Sequence, residues 1–158
     1  VQILKSPLMM ELKQIIEHSG ISCSGIIVEL TESGYLEGTP AVRSVWNDMK
    51  QLRIQIALDD FGTGYSNLMN ISNLEPDIVK LDRGFTLKAL SRSYEYQLMQ
   101  YVIEMVHKLN QYVCVEGVET KEDLEKIKAL GPDLIQGYYY SKPCSRDEFL
   151  KKFFDYSE

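Results

Sequence analysis

Ala57-Leu58-Asp59-Asp60-Phe61-Gly62-Thr63-Gly64-Tyr65-Ser66 joins an apolar alternating run, residues 54–58, to two adjacent carboxylates and then to a loop with two glycines. Adjacent carboxylates at the end of a strand repel one another, so the arrangement is costly unless a cation sits there. The plain alternative is a turn that one aspartate caps while the other is solvated. The rest of the chain decides between them.

The chain has 158 residues, 44% hydrophobic and 25% charged, which suits one domain with one core. No apolar run approaches the roughly 20 residues that span a bilayer, so no membrane contact is expected. Val1-Gln2-Ile3-Leu4 has neither the charged start nor the cleavage site of a signal peptide. Cys23, Cys114 and Cys144 are widely spaced with no Cys-x-x-Cys, which predicts reduced packing residues in a cytoplasmic protein. The net charge of −6 argues against DNA binding, which needs a basic face. An acidic protein that binds a phosphate ester needs bound metal to offset the repulsion.

Short runs rich in Val, Ile and Leu recur at 26–30, 54–58, 78–81, 112–115 and 134–138. Helical segments lie between them. Leu98, Val102, Met105 and Leu109 are spaced four, three and four apart, which predicts the buried face of a helix over 94–109. Ser6-Pro7 and Thr39-Pro40 read as helix starts. Ser145 with Glu148 forms a capping box, and Thr120 with Asp123 resembles one. Gly20 reads as a helix stop, and His18 and His107 fall in last turns, where their charge suits the helix end rather than catalysis. The order α-β-α-β-α-β-α-β-α-β-α predicts an α/β fold with a parallel sheet, either doubly wound or part of a (βα) barrel.

Every one of the five runs delivers polar or ionisable groups near its carboxyl end, where sites form in α/β folds. The first has Glu29, with Glu32 beyond it, and the second Asp59-Asp60. The third carries Lys80 and Asp82, the fourth runs into Glu116 and Glu119, and the fifth carries Gln136. Glu29, Asp59, Asp60 and Glu116 are hard oxygen donors, suited to magnesium or manganese rather than zinc. Adjacent aspartates can serve two ions, the clamp used for in-line attack of water on a phosphodiester. Lys80, inside the apolar run Ile78-Val79-Lys80-Leu81, could hold the attacking water or neutralise transition-state charge. Gln136 could orient substrate or water, or equally bond backbone. Asp60-Phe61-Gly62 matches the kinase metal-binding tripeptide, but no His-Arg-Asp loop accompanies it. Gly62-Thr63-Gly64 begins a dinucleotide fingerprint, but Asn67 stands at the third glycine position.

Glu29-Leu30-Thr31-Glu32-Ser33, residues 59–66, Lys80-Leu81-Asp82, Glu116-Gly117-Val118-Glu119-Thr120, Gln136-Gly137-Tyr138 and Lys142-Pro143 resemble, in this order, the motifs of the EAL domain. These are the cyclic di-GMP phosphodiesterases of bacterial signalling. Ser66-Asn67-Leu68 departs mildly from the more usual Ser-Ser-Leu. The resemblance implies a TIM-like barrel that hydrolyses cyclic di-GMP to linear pGpG with Mg²⁺ or Mn²⁺. It implies Glu29 and Asp59 as ligands of a first metal, and Asp59, Asp60 and Glu116 as ligands of a second, with Asp82 also in the metal region. It gives Lys80 and Glu116 the catalytic roles of positioning and activating water. Gln136, Glu119 and Tyr138 would lie around substrate or water. Glu32 would anchor the loop 61–68, which in the family links the metal site to a dimer interface.

The Glu-Ala-Leu strand and the asparagine strand that supply further metal ligands in the family are not in this sequence. The expectation is an incomplete TIM-like (βα) barrel: a single partial EAL domain over 1–158, of about five mostly parallel strands with flanking helices. Such a fragment should be nearly inactive, with an incomplete two-metal site. Its open edges predict a homodimer or higher oligomer. A parent protein that is a non-catalytic cyclic di-GMP receptor or interaction module is the alternative.

Overall fold

The computed structural model describes residues 8–31, 40–63, 71 and 74–154. Five strands form one sheet, β1 (Ile27–Thr31), β2 (Gln55–Phe61), β3 (Ile78–Leu81), β4 (Tyr112–Val115) and β5 (Leu134–Ile135). All neighbours are parallel and the spatial order is the sequence order, β1-β2-β3-β4-β5. A doubly wound sheet reverses its order at a switch point. This sheet does not, so the winding is that of a barrel. The helices are α1 (Leu8–Ser19), α2 (Pro40–Gln51), α3 (Arg83–Ser91), α4 (Ser93–Lys108), α5 (Lys121–Lys128) and α6 (Arg146–Phe153).

The two faces of the sheet differ, and the alternation of the strands explains why. Ile56, Leu58, Val79, Leu81, Val113 and Val115 point to the helices, where they meet Trp46, Met49, Phe85, Met99, Ile103, Val106, Leu124 and Ile127. The opposite face carries Ala57, Ile78 and Cys114 as a small separate cluster. Every residue of β3 is buried, as expected for a central strand covered on both faces.

Several local signals in the sequence hold. Gly20 ends α1 at φ +69°, its N–H donating to the Ile16 carbonyl at 3.1 Å. Thr120 and Ser145 each form a full capping box, with Asp123 and Glu148 respectively. Ser6, Pro7 and Thr39 lie outside the described residues.

Four expectations need correction. In α4 the buried residues are Met99, Val102, Ile103 and Val106, while Leu98 and Leu109 are 41% and 42% exposed. The helix is apolar over more than one stripe, and the sheet takes the one centred on Ile103. Cys23 and Cys114 do pack inside, but Cys144 is exposed in the turn before α6. Finally, β2 does not stop before the aspartates but runs through them to Phe61. The fifth strand, in turn, ends at Ile135, earlier than the apolar run that reaches residue 138. Among the described residues, no helix is long and apolar enough to cross a membrane.

A repeated Pro-Asp pair, unremarked in the sequence reading, sets the floor of the sheet. Asp77, after Pro76, accepts the Ile56 N–H at 2.8 Å, and Asp133, after Pro132, accepts the Val113 N–H at 2.8 Å. Each aspartate pins the amino end of the preceding strand to the start of its own. His107 adds a contact from Nε2 to Asp133 Oδ2 at 2.9 Å. Burial alone would raise the Asp133 carboxyl, but the Val113 N–H and His107 outweigh it and hold it below the usual carboxylate range. A carboxylate lowered on folding stabilises the fold above its unfolded pKa, about 3.9, and loses that contribution as pH falls through the folded value. Asp133→Asn should therefore cost about 1 kcal/mol at neutral pH and flatten the loss of stability below about pH 4. Urea melts between pH 2.5 and 7 check both.

Candidate active site

The site forms at the carboxyl end of the sheet, on the face away from the helices. Lys80 sits centrally in β3 and is only 5% exposed. Its Nζ lies 2.8 Å from Glu29 Oε1, 2.7 Å from Glu116 Oε1 and 3.0 Å from Asp59 Oδ1. Three strand ends thus converge on one ammonium. Glu29 reaches it from β1 across Ala57, its register partner in β2, whose methyl leaves the path open. Glu116 stands just past β4, its backbone N–H held by the Leu81 carbonyl at 3.1 Å.

A bulge in β2 arranges the aspartate pair. Leu58 is level with Val79 and Phe61 with Leu81, so β2 spends one residue more than β3 between these points. Asp60 absorbs the extra residue in the left-handed region, φ +61°. Unbroken alternation would place Phe61 on the same face as Asp59. The bulge instead returns Phe61 to the core, keeps Asp59 beside Lys80 and turns Asp60 out at the strand end. Gly62 follows at φ +101°, and a Cβ there would come within 2.8 Å of the Phe85 ring. The glycine is required by both its backbone angle and that contact.

Electrostatically the site has an excess of negative charge. Burial alone would lower the Lys80 ammonium, but its hydrogen bonds to Glu116 and Glu29 and its close charge contact with Asp59 more than reverse this and hold it well above the usual lysine range. Asp60 is held above the usual carboxylate range by partial desolvation and then by the Asp59 and Asp82 carboxylates, with Lys80 opposing. Burial, then Glu116, push the Cys114 thiol up to about 11, so it is a neutral filler of the inner face. Asp59 Oδ1 is fully buried and, among the described residues, accepts no hydrogen bond; its 3.0 Å approach to Lys80 is a charge contact without hydrogen-bond alignment. The contact is an ion pair that leaves a buried carboxylate oxygen undersatisfied.

The remaining predicted residues take distinct places. Asp82 caps α3, its Oδ1 accepting the Gly84 N–H at 2.7 Å, so one of its oxygens is committed to the helix. Glu116, Glu119, Gln136 and Tyr138 line one cavity of about 460 Å³. Glu32 and residues 64–70, including Tyr65 and Ser66, lie outside the described residues. Sequence reasoning missed Arg83, which lines the same cavity and pairs with Glu119 at 2.7 Å. Its signal was available: a cation directly after Asp82 at a strand end otherwise rich in acids.

Two glycines shape this cavity. A Cβ on Gly137 would come within 2.0 Å of the Val118 carbonyl oxygen, and one on Gly117, at φ +79°, within 2.3 Å of Arg83 Cγ. The first clash is with backbone, which cannot swing aside. Gly137→Ala should cost about 1–3 kcal/mol and displace Tyr138, measured by thermal melting and by a change in near-ultraviolet circular dichroism.

The donor chemistry suits a hard divalent ion, with oxygen ligands in excess and a buried carboxylate oxygen lacking a hydrogen bond among the described residues. Among the described residues, no three His, Cys, Asp or Glu side chains close on a single point, because Lys80 occupies the space between Glu29, Asp59 and Glu116.

Residues 1–143 match the EAL domain. The chain belongs to the EAL domain family. It is 29% identical over 152 residues to the cyclic di-GMP phosphodiesterase NbdA of Pseudomonas aeruginosa, covering 94% of this chain and 19% of NbdA. Among solved structures it superposes on the EAL enzyme Bd1971, in its cAMP and cyclic di-GMP bound form, with a TM-score of 0.88 and 30% identity over 95% of this chain and 40% of that one. It matches the manganese and cyclic di-GMP complex of Klebsiella pneumoniae BlrP1 with a TM-score of 0.83 and 26% identity, over 90% of this chain and 36% of BlrP1. The chain spans about a fifth of NbdA's length. The family and the barrel-type α/β fold implied by the motifs are therefore both correct.

Proposed function

We propose that this chain supplies the carboxyl-terminal part of a divalent-metal-dependent active site that hydrolyses cyclic di-GMP to linear pGpG. The observation that carries this reading is the convergence of Glu29, Asp59 and Glu116 on the buried Lys80 ammonium, with Asp60 beside them. Ordinary solvation does not explain a lysine buried among carboxylates from three strands. The solved relatives that carry cyclic di-GMP, one of them with manganese, add the substrate and metal class.

Asp59, Asp60, Glu29 and Glu116 would hold the metal, with Asp82 nearby. Bound there, a divalent ion supplies charge neutralisation for the phosphodiester and lowers the pKa of a water. The chain's own groups divide the remaining work. Lys80 stays protonated, so it is a donor: it fixes the attacking water by its oxygen and offsets charge developing on phosphorus-bound oxygen. Glu116, an acceptor 2.7 Å from Lys80, takes the water's proton. Water attacks phosphorus, the bond to one ribose 3′ oxygen breaks, that oxygen takes up a proton from solvent, and the ring opens to a 5′-phosphorylated linear dinucleotide.

Chromatography of the reaction of the full-length polypeptide with cyclic di-GMP and Mn²⁺ tests this. Linear product that disappears with chelator supports it. Tight binding without turnover would make the protein a receptor, and absence of binding would remove the substrate assignment altogether.

A further inference from the structure

The floor of the sheet, at the opposite end of the strands from the carboxylates, carries a second cavity. It has a volume of about 320 Å³ and opens among the last turn of α2, the amino ends of β2 and β4, and the connection into β3. The hydrolysis described above makes no use of it. Gln111, just before β4, is the residue there that points to a ligand. It lines the cavity and is only 8% exposed. Its backbone N–H donates to the Val106 carbonyl at 3.3 Å, but its side-chain Oε1 is buried and accepts no hydrogen bond among the described residues. A buried amide oxygen left unpaired is costly, so a donor is expected to meet it.

The other walls carry charge of both signs. Lys50 Nζ donates one of its three N–H groups to the Glu75 carbonyl, which anchors the ammonium beside the cavity. Asp77 accepts the Ile56 N–H at 2.8 Å through Oδ2, so its carboxylate is held in place as well. Leu109 and Tyr112, both exposed, add apolar surface. A simple cation would meet repulsion from Lys50. A simple anion would meet repulsion from Asp77 and would offer Gln111 no donor. A small zwitterion with an apolar tail suits all of these groups together.

We propose that this floor cavity binds a free α-amino acid with an apolar side chain. Its ammonium donates to Gln111 Oε1 and faces the Asp77 carboxylate. Its carboxylate accepts from the Lys50 ammonium. Its side chain lies along Leu109 and Tyr112. The site is separate from the Lys80 cluster, and the inference does not rest on the phosphodiesterase reading.

Isothermal titration calorimetry of the full-length polypeptide with L-leucine tests this, against two probes that each lack one charge, 4-methylpentanoate and 3-methylbutylamine. L-leucine should bind saturably. Each single-charge probe should bind about ten-fold more weakly or worse, because one charge-assisted contact is lost in each. Lys50→Met and Gln111→Met should each weaken L-leucine by about ten-fold or more. The probe without an ammonium, 4-methylpentanoate, should bind Gln111→Met as it binds the unaltered protein. Ligand-free Gln111→Met should melt no lower than the unaltered protein, because methionine removes an acceptor that has no partner. No saturable binding of L-leucine, equal affinity for all three probes, or undiminished binding by either variant would overturn the inference. A marked fall in the melting temperature of ligand-free Gln111→Met would overturn it too, since the oxygen would then have a partner within the protein.

Discussion

Lys80→Met is expected to lower the stability of the metal-free protein by about 3 kcal/mol. Removing the ammonium leaves Asp59 and Glu116, whose side chains are largely covered, facing each other and Glu29 without a counter-charge. Methionine keeps the apolar stem and so isolates the charge from the packing of β3. Mn²⁺ should restore a good part of the lost stability, because an ion bound by the same carboxylates neutralises them. It should not restore hydrolysis, which is expected to stay down by about a hundred-fold or more with the water-positioning donor gone. Denaturant melts with and without Mn²⁺, alongside rates on cyclic di-GMP, separate the two effects. A variant as stable as the parent without metal would mean that the three contacts are incidental.

Asp59→Asn acts on the other side of the same balance. Asp59 Oδ1 is buried without a hydrogen bond among the described residues, and its carboxylate raises the pKa of Asp60. Taking away that charge relieves repulsion even as it weakens the pairing with Lys80, so metal-free stability should change by less than about 1 kcal/mol. Metal response should change far more. At an ion concentration 100 times its dissociation constant, the parent gains about 2.7 kcal/mol, and the variant should gain almost none. Thermal melts over a Mn²⁺ titration read this directly. An undiminished shift would place the ion elsewhere.

The site was legible in sequence to the extent that chemistry rides on element ends. Glu29, Asp59, Lys80 and Glu116 could be picked out because each interrupts or ends an apolar run, and the parallel fold brings like ends together. The local punctuation of Gly20, Thr120 and Ser145 was equally readable, since a cap depends on its own turn and little else. What was hidden depends on register and on neighbours. The bulge at Asp59-Asp60 is set by how β2 pairs with β3, and no period within residues 54–61 announces it. The buried stripe of α4 was misjudged because Leu98 and Leu109 fit a helical period equally well. Only the sheet beneath selects Met99, Ile103 and Val106. Arg83 escaped notice because its importance comes from Glu119, thirty-six residues away along the chain.

The central claim is that water adds to a phosphodiester at the Lys80 carboxylate cluster. Its most direct test is hydrolysis of cyclic di-GMP by the full-length polypeptide in ¹⁸O-water with Mn²⁺, followed by mass spectrometry of the product. The account predicts linear pGpG carrying one ¹⁸O on its 5′-phosphate, formed by the parent and lost in Lys80→Met. Cyclic di-GMP recovered intact, or product formed equally by the variant, would contradict it.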